Sequence, residues 1–76
     1  MSGNFPQRLQ SIKLNIGYYR KKSGFTQEQF AEKLYISRTH MSNIEAPNMK
    51  TGITLELLFT IADELNIDVA KLLEIR

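Results

Sequence analysis

Seventy-six residues with 42% apolar side chains, four glycines and two prolines describe one small folded domain and exclude a disordered chain. The lack of cysteine excludes a disulfide framework and a thiolate site and fits a reducing cytoplasm; a single histidine leaves too few ligands for a metal centre. The net charge of +2 is unevenly spread, with +5 over residues 1–50 and −3 over residues 51–76.

In chain order, residues 1–5 are expected to form a flexible tail, and residues 6–76 a single domain that opens on Pro6, a residue favoured in the first turn of a helix. Leu9, Ile12, Ile16 and Tyr19 recur at three- and four-residue steps, which predicts a helix to about Lys22. "SGF" stops it, with Gly24 suited to the left-handed conformation that ends helices. "FTQEQF" then starts a second helix: Thr26 and Gln29 have the spacing of a capping box, and Phe25 and Phe30 that of a hydrophobic staple. Phe30, Ala31 and Leu34 form its inner face.

After "YIS" a third helix is capped by Ser37, with Ile36 and Met41 as its staple. The connection of about three residues suits two short helices crossing at a steep angle. "APNMKTG" is a loop, opened by Pro47 and punctuated by Gly52. Thr54 caps a fourth helix with Leu58, Ile61, Ala62 and Leu65 inward, and Asn66 ends it. Asp68 caps a last helix carrying Val69, Leu72 and Leu73. "FAEKLYIS" and "IADELNID" share one pattern of apolar, Ala, Leu, Ile and cap, the same solution to a tight turn used twice. No strand pattern competes, so the expected fold is five short helices.

The third helix poses the functional question. Met41 and Ile44 can face a core, while Arg38, Thr39, His40, Ser42 and Asn43 occupy the remainder. A solvated helix face is usually rich in Lys and Glu. This face has no Lys, and its only acid is Glu45 at the end. Its side chains instead donate and accept hydrogen bonds at defined geometry. Singly, each is better explained by solvation; five on one short helix favour recognition.

The combination of Arg20, "TQEQFAEKL", "IS", "SNIE" and the tail "IADEL", "NID", "LL", in this order and spacing, resembles the Cro/C1-type helix-turn-helix domain of phage repressors and bacterial regulators. The resemblance runs from about Leu9 to Leu73. It implies an all-α, compact, five-helix lambda-repressor-like fold, with helices 2 and 3 as the helix-turn-helix and residues 37–45 in the major groove of double-stranded DNA. A repressor-type regulator of the bacterial cytoplasm, associated with the nucleoid, is the implied function.

Base-pair edges in that groove present a distinct pattern of donors and acceptors. Arg38 can fork onto guanine, Asn43 can pair with adenine, and Thr39 offers a methyl and a hydroxyl to thymine; His40 and Ser42 can reach bases or phosphates. Gln27 lies at the start of helix 2, where backbone N–H groups and the helix dipole attract phosphate. By resemblance it anchors the DNA backbone, and it can brace Arg38. Ser37 and the loop residues Asn48 and Lys50 are the other expected phosphate contacts, while Lys21 and Lys22 are better read as solvated. Arg20 and Glu45 are implied to form a structural ion pair tying helix 1 to the end of helix 3. The chain departs from the family at Tyr35, where glycine is common because the turn tends to need positive φ, so that the tyrosine is strained or the turn differs locally. It departs also in the loop after helix 3, which is about three residues longer and carries Pro47 where glycine is common.

The charge split fits this placement. Arg8, Lys13, Arg20, Lys21, Lys22, Lys33, Arg38 and Lys50 share the first fifty residues with only Glu28, Glu32 and Glu45. Residues 51–76 set Lys71 and Arg76 against Glu56, Asp63, Glu64, Asp68 and Glu74. One end of the chain can approach a polyanion while the other prefers not to, which suggests a nucleic-acid partner, with a randomly charged surface as the alternative. Catalysis is not expected, since there is no glycine-rich phosphate loop and Glu28 and Glu32 belong to the outer face of helix 2. No cofactor or small-molecule ligand is expected. No apolar run approaches the roughly 20 residues of a membrane span, and "MSGNFPQR" lacks a signal region. The rival function is protein binding, as an antitoxin or anti-regulator on the same fold, which calls for large apolar anchors. Regulators of this kind use near-palindromic operators. A weak homodimer would have to use helix 5, Phe59 or the tail "LLEIR".

Overall fold

The computed structural model describes residues 5–75. Among these residues five helices follow one another: Phe5–Lys22 (α1), Gln27–Leu34 (α2), Arg38–Glu45 (α3), Leu55–Glu64 (α4) and Val69–Leu72 (α5). The described residues contain no strand. The tail expected over residues 1–5 lies outside the described residues except for Phe5, which opens α1 instead of ending a tail.

Each short helix is bounded by its own side chains. Thr26 Oγ1 accepts from the Gln29 N–H at 3.0 Å while Gln29 Oε1 accepts from the Thr26 N–H at 2.9 Å, a complete capping box. Ser37, Thr54 and Asp68 cap α3, α4 and α5 by accepting from the N–H groups of His40, Leu57 and Ala70. Such caps are typically worth about 1 kcal/mol each. The Phe25 and Phe30 rings are 5.5 Å apart and close the entry to α2.

Three helices end the same way. Gly24, Tyr35 and Asn66 have φ of 87°, 58° and 56°. Each donates its N–H to the carbonyl three residues back, on Lys21, Glu32 and Asp63 respectively. The residues that follow, Phe25, Ile36 and Ile67, donate to Arg20, Ala31 and Ala62, five back. This is the Schellman arrangement, with an apolar residue after the left-handed one folding over the helix end. Phe25, Ile36 and Ile67 all pack against the core. The resemblance of "FAEKLYIS" to "IADELNID" therefore has a physical cause, and α1 uses the same device at "SGF".

The core gathers Ile16 from α1, Phe30, Ala31 and Leu34 from α2, Met41 and Ile44 from α3, Leu58, Ile61 and Ala62 from α4, Leu65 just beyond it, and Leu72 from α5. Burying a side chain such as Leu, Ile or Phe contributes about 1.5–3 kcal/mol, so each short helix is held chiefly by what it packs on. Leu73, expected on the last helix, lies one residue past it and is half-exposed, because α5 ends at Leu72. The inner face of α1 is not apolar throughout: Ser11, Lys13, Asn15 and Arg20 are buried beside Ile16. Asn15 Nδ2 donates to Leu72 O at 3.0 Å and to Glu74 O at 2.7 Å, tying the chain after α5 back to α1.

Candidate nucleic-acid interface

α3 is eight residues long, and its inward side is spoken for by Met41 and Ile44, both fully buried. With about 100° between successive residues, the direction opposite that pair falls almost on Thr39, with Ser42 and Asn43 about 50° to either side and Arg38 about 90° away at the edge. These four line one shallow hollow on the surface. Arg38, Thr39 and Ser42 are exposed and Asn43 is half-buried. His40 is exposed but turns to the flank near Ile44, outside that hollow. Five polar side chains thus resolve into a cluster of four and one neighbour.

The elements around α3 set out the remaining candidates. Gln27 sits at the first position of α2 and shares an open groove with Ser42. Its amide donates to Glu45 Oε1 at 3.1 Å, so it braces Glu45 and not Arg38. Of the N–H groups that open α2, that of Gln29 is taken by Thr26 Oγ1, and those of Gln27 and Glu28 have no acceptor one turn earlier. Ser37 is exposed, with its hydroxyl occupied in capping α3. Asn48 and Lys50 are exposed and line a second groove with Gln7 and Gln10 of α1. Lys21 and Lys22 are exposed at the end of α1, where Lys22 Nζ lies 5.8 Å from the Tyr18 ring centre. Glu28 and Glu32 are exposed on the outside of α2.

Behind this surface lies a charged joint. Arg20 Nε donates to Glu45 Oε2 at 2.5 Å and Nη2 to Oε1 at 3.0 Å, while Nη1 donates to Phe25 O at 2.7 Å. The two side chains are 7% and 8% exposed. Glu45 is thereby gripped by α1 and by Gln27 of α2 at once, which fixes the end of α3 against both. Of the eight basic residues in the first half, Arg20 is consumed by this pair and Lys13 is buried, so the outward charge is less lopsided than the sequence count implies.

Lys13 was not expected inside. Its Nζ donates to Asn43 O at 2.8 Å and Ile44 O at 3.1 Å, the carbonyls of the last turn of α3. Burial pushes its ammonium below the ordinary lysine value. A signal existed in the sequence: Lys13 stands three residues before Ile16 on the inward face, where an amphipathic helix would place an apolar residue.

A helix-turn-helix family model matches residues 16–72, which spans most of the five helices. The chain belongs to the Cro/C1-type helix-turn-helix family. Comparison with curated proteins and with solved structures gives no match. As a Cro/C1-type domain it is a DNA-binding regulator in general terms, with α2 and α3 as the helix-turn-helix pair. Among the described residues no group of His, Asp or Glu could hold a metal ion, and no helix is long and apolar enough to cross a membrane.

Proposed function

We infer that this domain binds double-stranded DNA sequence-specifically, as a repressor-type transcriptional regulator, by laying α3 in the major groove. The observation that carries this is the cluster of Arg38, Thr39, Ser42 and Asn43 on the outward side of a helix anchored on its other side and at its end. A helix about 10–12 Å across fits a groove about 12 Å wide. Arg38 has the two-pronged donor for guanine, Asn43 the donor and acceptor for adenine, and Thr39 a methyl for thymine. Ser42, and His40 from the flank, reach adjacent bases or phosphates. The opening N–H groups of α2 with Gln27, the Ser37 region, and Asn48 and Lys50 in the loop hold phosphates on either side.

The face of α3 offers no large apolar anchor, which speaks against an antitoxin-like use of that face. Apolar exposure is found elsewhere. Leu55 and Phe59, four residues apart on one side of α4, and Leu73 and Ile75 beyond α5 are exposed. They suit a weak homodimer on a near-palindromic operator with half-sites about one helical turn apart.

Selection of bound sequences from a random duplex pool, followed by titration at several salt concentrations, tests the function. A defined, near-palindromic site is expected, with affinity falling as salt rises at roughly 0.9 logarithmic units per phosphate neutralised. Absence of binding at low salt would refute DNA recognition.

A further inference from the structure

The carbonyls at the end of any α-helix lack intrahelical donors. In α3 the Ser42 carbonyl is satisfied by the Ala46 N–H at 3.0 Å. The next, on Asn43, would need the N–H of residue 47, and residue 47 is proline, which has none. Ala46 has already left the helix, with φ −73° and ψ 112°, as the residue before a proline does. The donor comes instead from another helix. Lys13 of α1, 0% exposed, reaches across and donates to Asn43 O and Ile44 O.

We propose that Lys13 is a positioning residue for base reading, its ammonium replacing the backbone donor that Pro47 removes and fixing the turn of α3 that carries Asn43. This rests on α3 being the reader. Lys13 and Arg20 lie seven residues apart on the same side of α1, and their grips differ. Arg20 holds the carboxylate of Glu45; Lys13 holds the main chain of Asn43 itself, one residue whose side chain faces outward. A recognition group has to be held to within about 0.5 Å to make a two-pronged contact. A cation at the C-terminal end of α3 also complements its dipole, which offsets part of the cost of burying the charge.

A residue that merely supports the fold would lower stability and leave the choice among DNA sequences alone. Lys13→Met keeps the length of the side chain and removes its donors; Lys13→Gln keeps one donor. Ile61→Val, a core substitution in α4, serves as the destabilised control. Each protein is assayed, where circular dichroism shows it folded, for the ratio of affinities between the selected duplex and a random one. Lys13→Met is expected to lower that ratio by about tenfold, with random-duplex affinity nearly unchanged, Lys13→Gln intermediate and Ile61→Val at the wild-type ratio. Should Lys13→Met not fold, the fall in Lys13→Gln against Ile61→Val decides. A wild-type ratio in the folded Lys13 variants, or an equal fall in Ile61→Val, overturns the role of Lys13 alone. No preference in the wild-type protein overturns the α3 reading and this role with it.

Discussion

Gly17 and Glu45 approach so closely that a Cβ on Gly17 would lie 3.3 Å from Glu45 Oε1. Gly17 stands between Lys13 and Arg20 on the same side of α1, and the end of α3 rests on that strip. Glu45 cannot withdraw, because three side-chain N–H groups hold it. Gly17→Ala would ordinarily stabilise a helix interior by about 1 kcal/mol. Here crowding is expected to outweigh that, giving a net loss of about 1 kcal/mol. Thermal unfolding checks it, and a rise in melting temperature would show that the joint has slack.

The Arg20–Glu45 pair sets a second expectation. Glu45→Ala leaves a buried guanidinium without its carboxylate and is expected to cost about 3–5 kcal/mol. Removing both partners should cost less than the sum of the single changes, since the uncompensated charge goes too. A double-mutant cycle by denaturant unfolding measures this; additive, near-zero effects would contradict the buried pair.

Tyr35 is 96% exposed and left-handed, so its ring contributes little packing and its backbone is strained. Replacing it by glycine removes roughly 1–2 kcal/mol of left-handed strain and costs about 0.5–1 kcal/mol in unfolded-chain entropy. Tyr35→Gly is thus expected to be more stable than wild type by about 0.5–1 kcal/mol, with the Ile36 to Ala31 hydrogen bond intact. Unfolding in urea checks it. A less stable variant would mean that the Tyr35 side chain has a role that its exposure conceals.

What the sequence disclosed and what it withheld follow one physical division. Thr26, Ser37, Thr54 and Asp68 cap their helices through neighbours two or three residues away. Gly24, Tyr35 and Asn66 end theirs through bonds no more than five residues long, so both boundaries are local information. The apolar periodicity likewise marked Ile16, Phe30, Met41, Ile44 and Ile61 as core. The partners of Lys13 and Asn15 were illegible for the opposite reason: they lie 30 to 59 residues away, and the inward position of Lys13 marks burial without naming what it meets. The Gln27 amide misled for the same reason, since Arg38 is nearer in sequence than Glu45, which the fold brings to it. On α3 the polar set was visible, but only its packing separates His40 from the other four.

Lys50 separates holding DNA from reading it. The side chain is exposed in the loop after α3, and under the proposed function it holds a phosphate. Lys50→Ala is expected to weaken selected and random duplexes alike and to reduce the salt slope by about 1. Titrations of both duplexes across salt concentrations check this, and a change confined to the selected duplex would make Lys50 a reader.

The central claim is that α3 chooses the sequence, and competition between the selected duplex and random DNA tests it most directly. Arg38→Ala and Asn43→Ala are each expected to cost about 1–3 kcal/mol on the selected site and to relax preference at one base position. Melting temperatures should barely move, because both side chains point away from the core. If both variants fold, bind DNA and keep the wild-type preference ratio, α3 is not the reader.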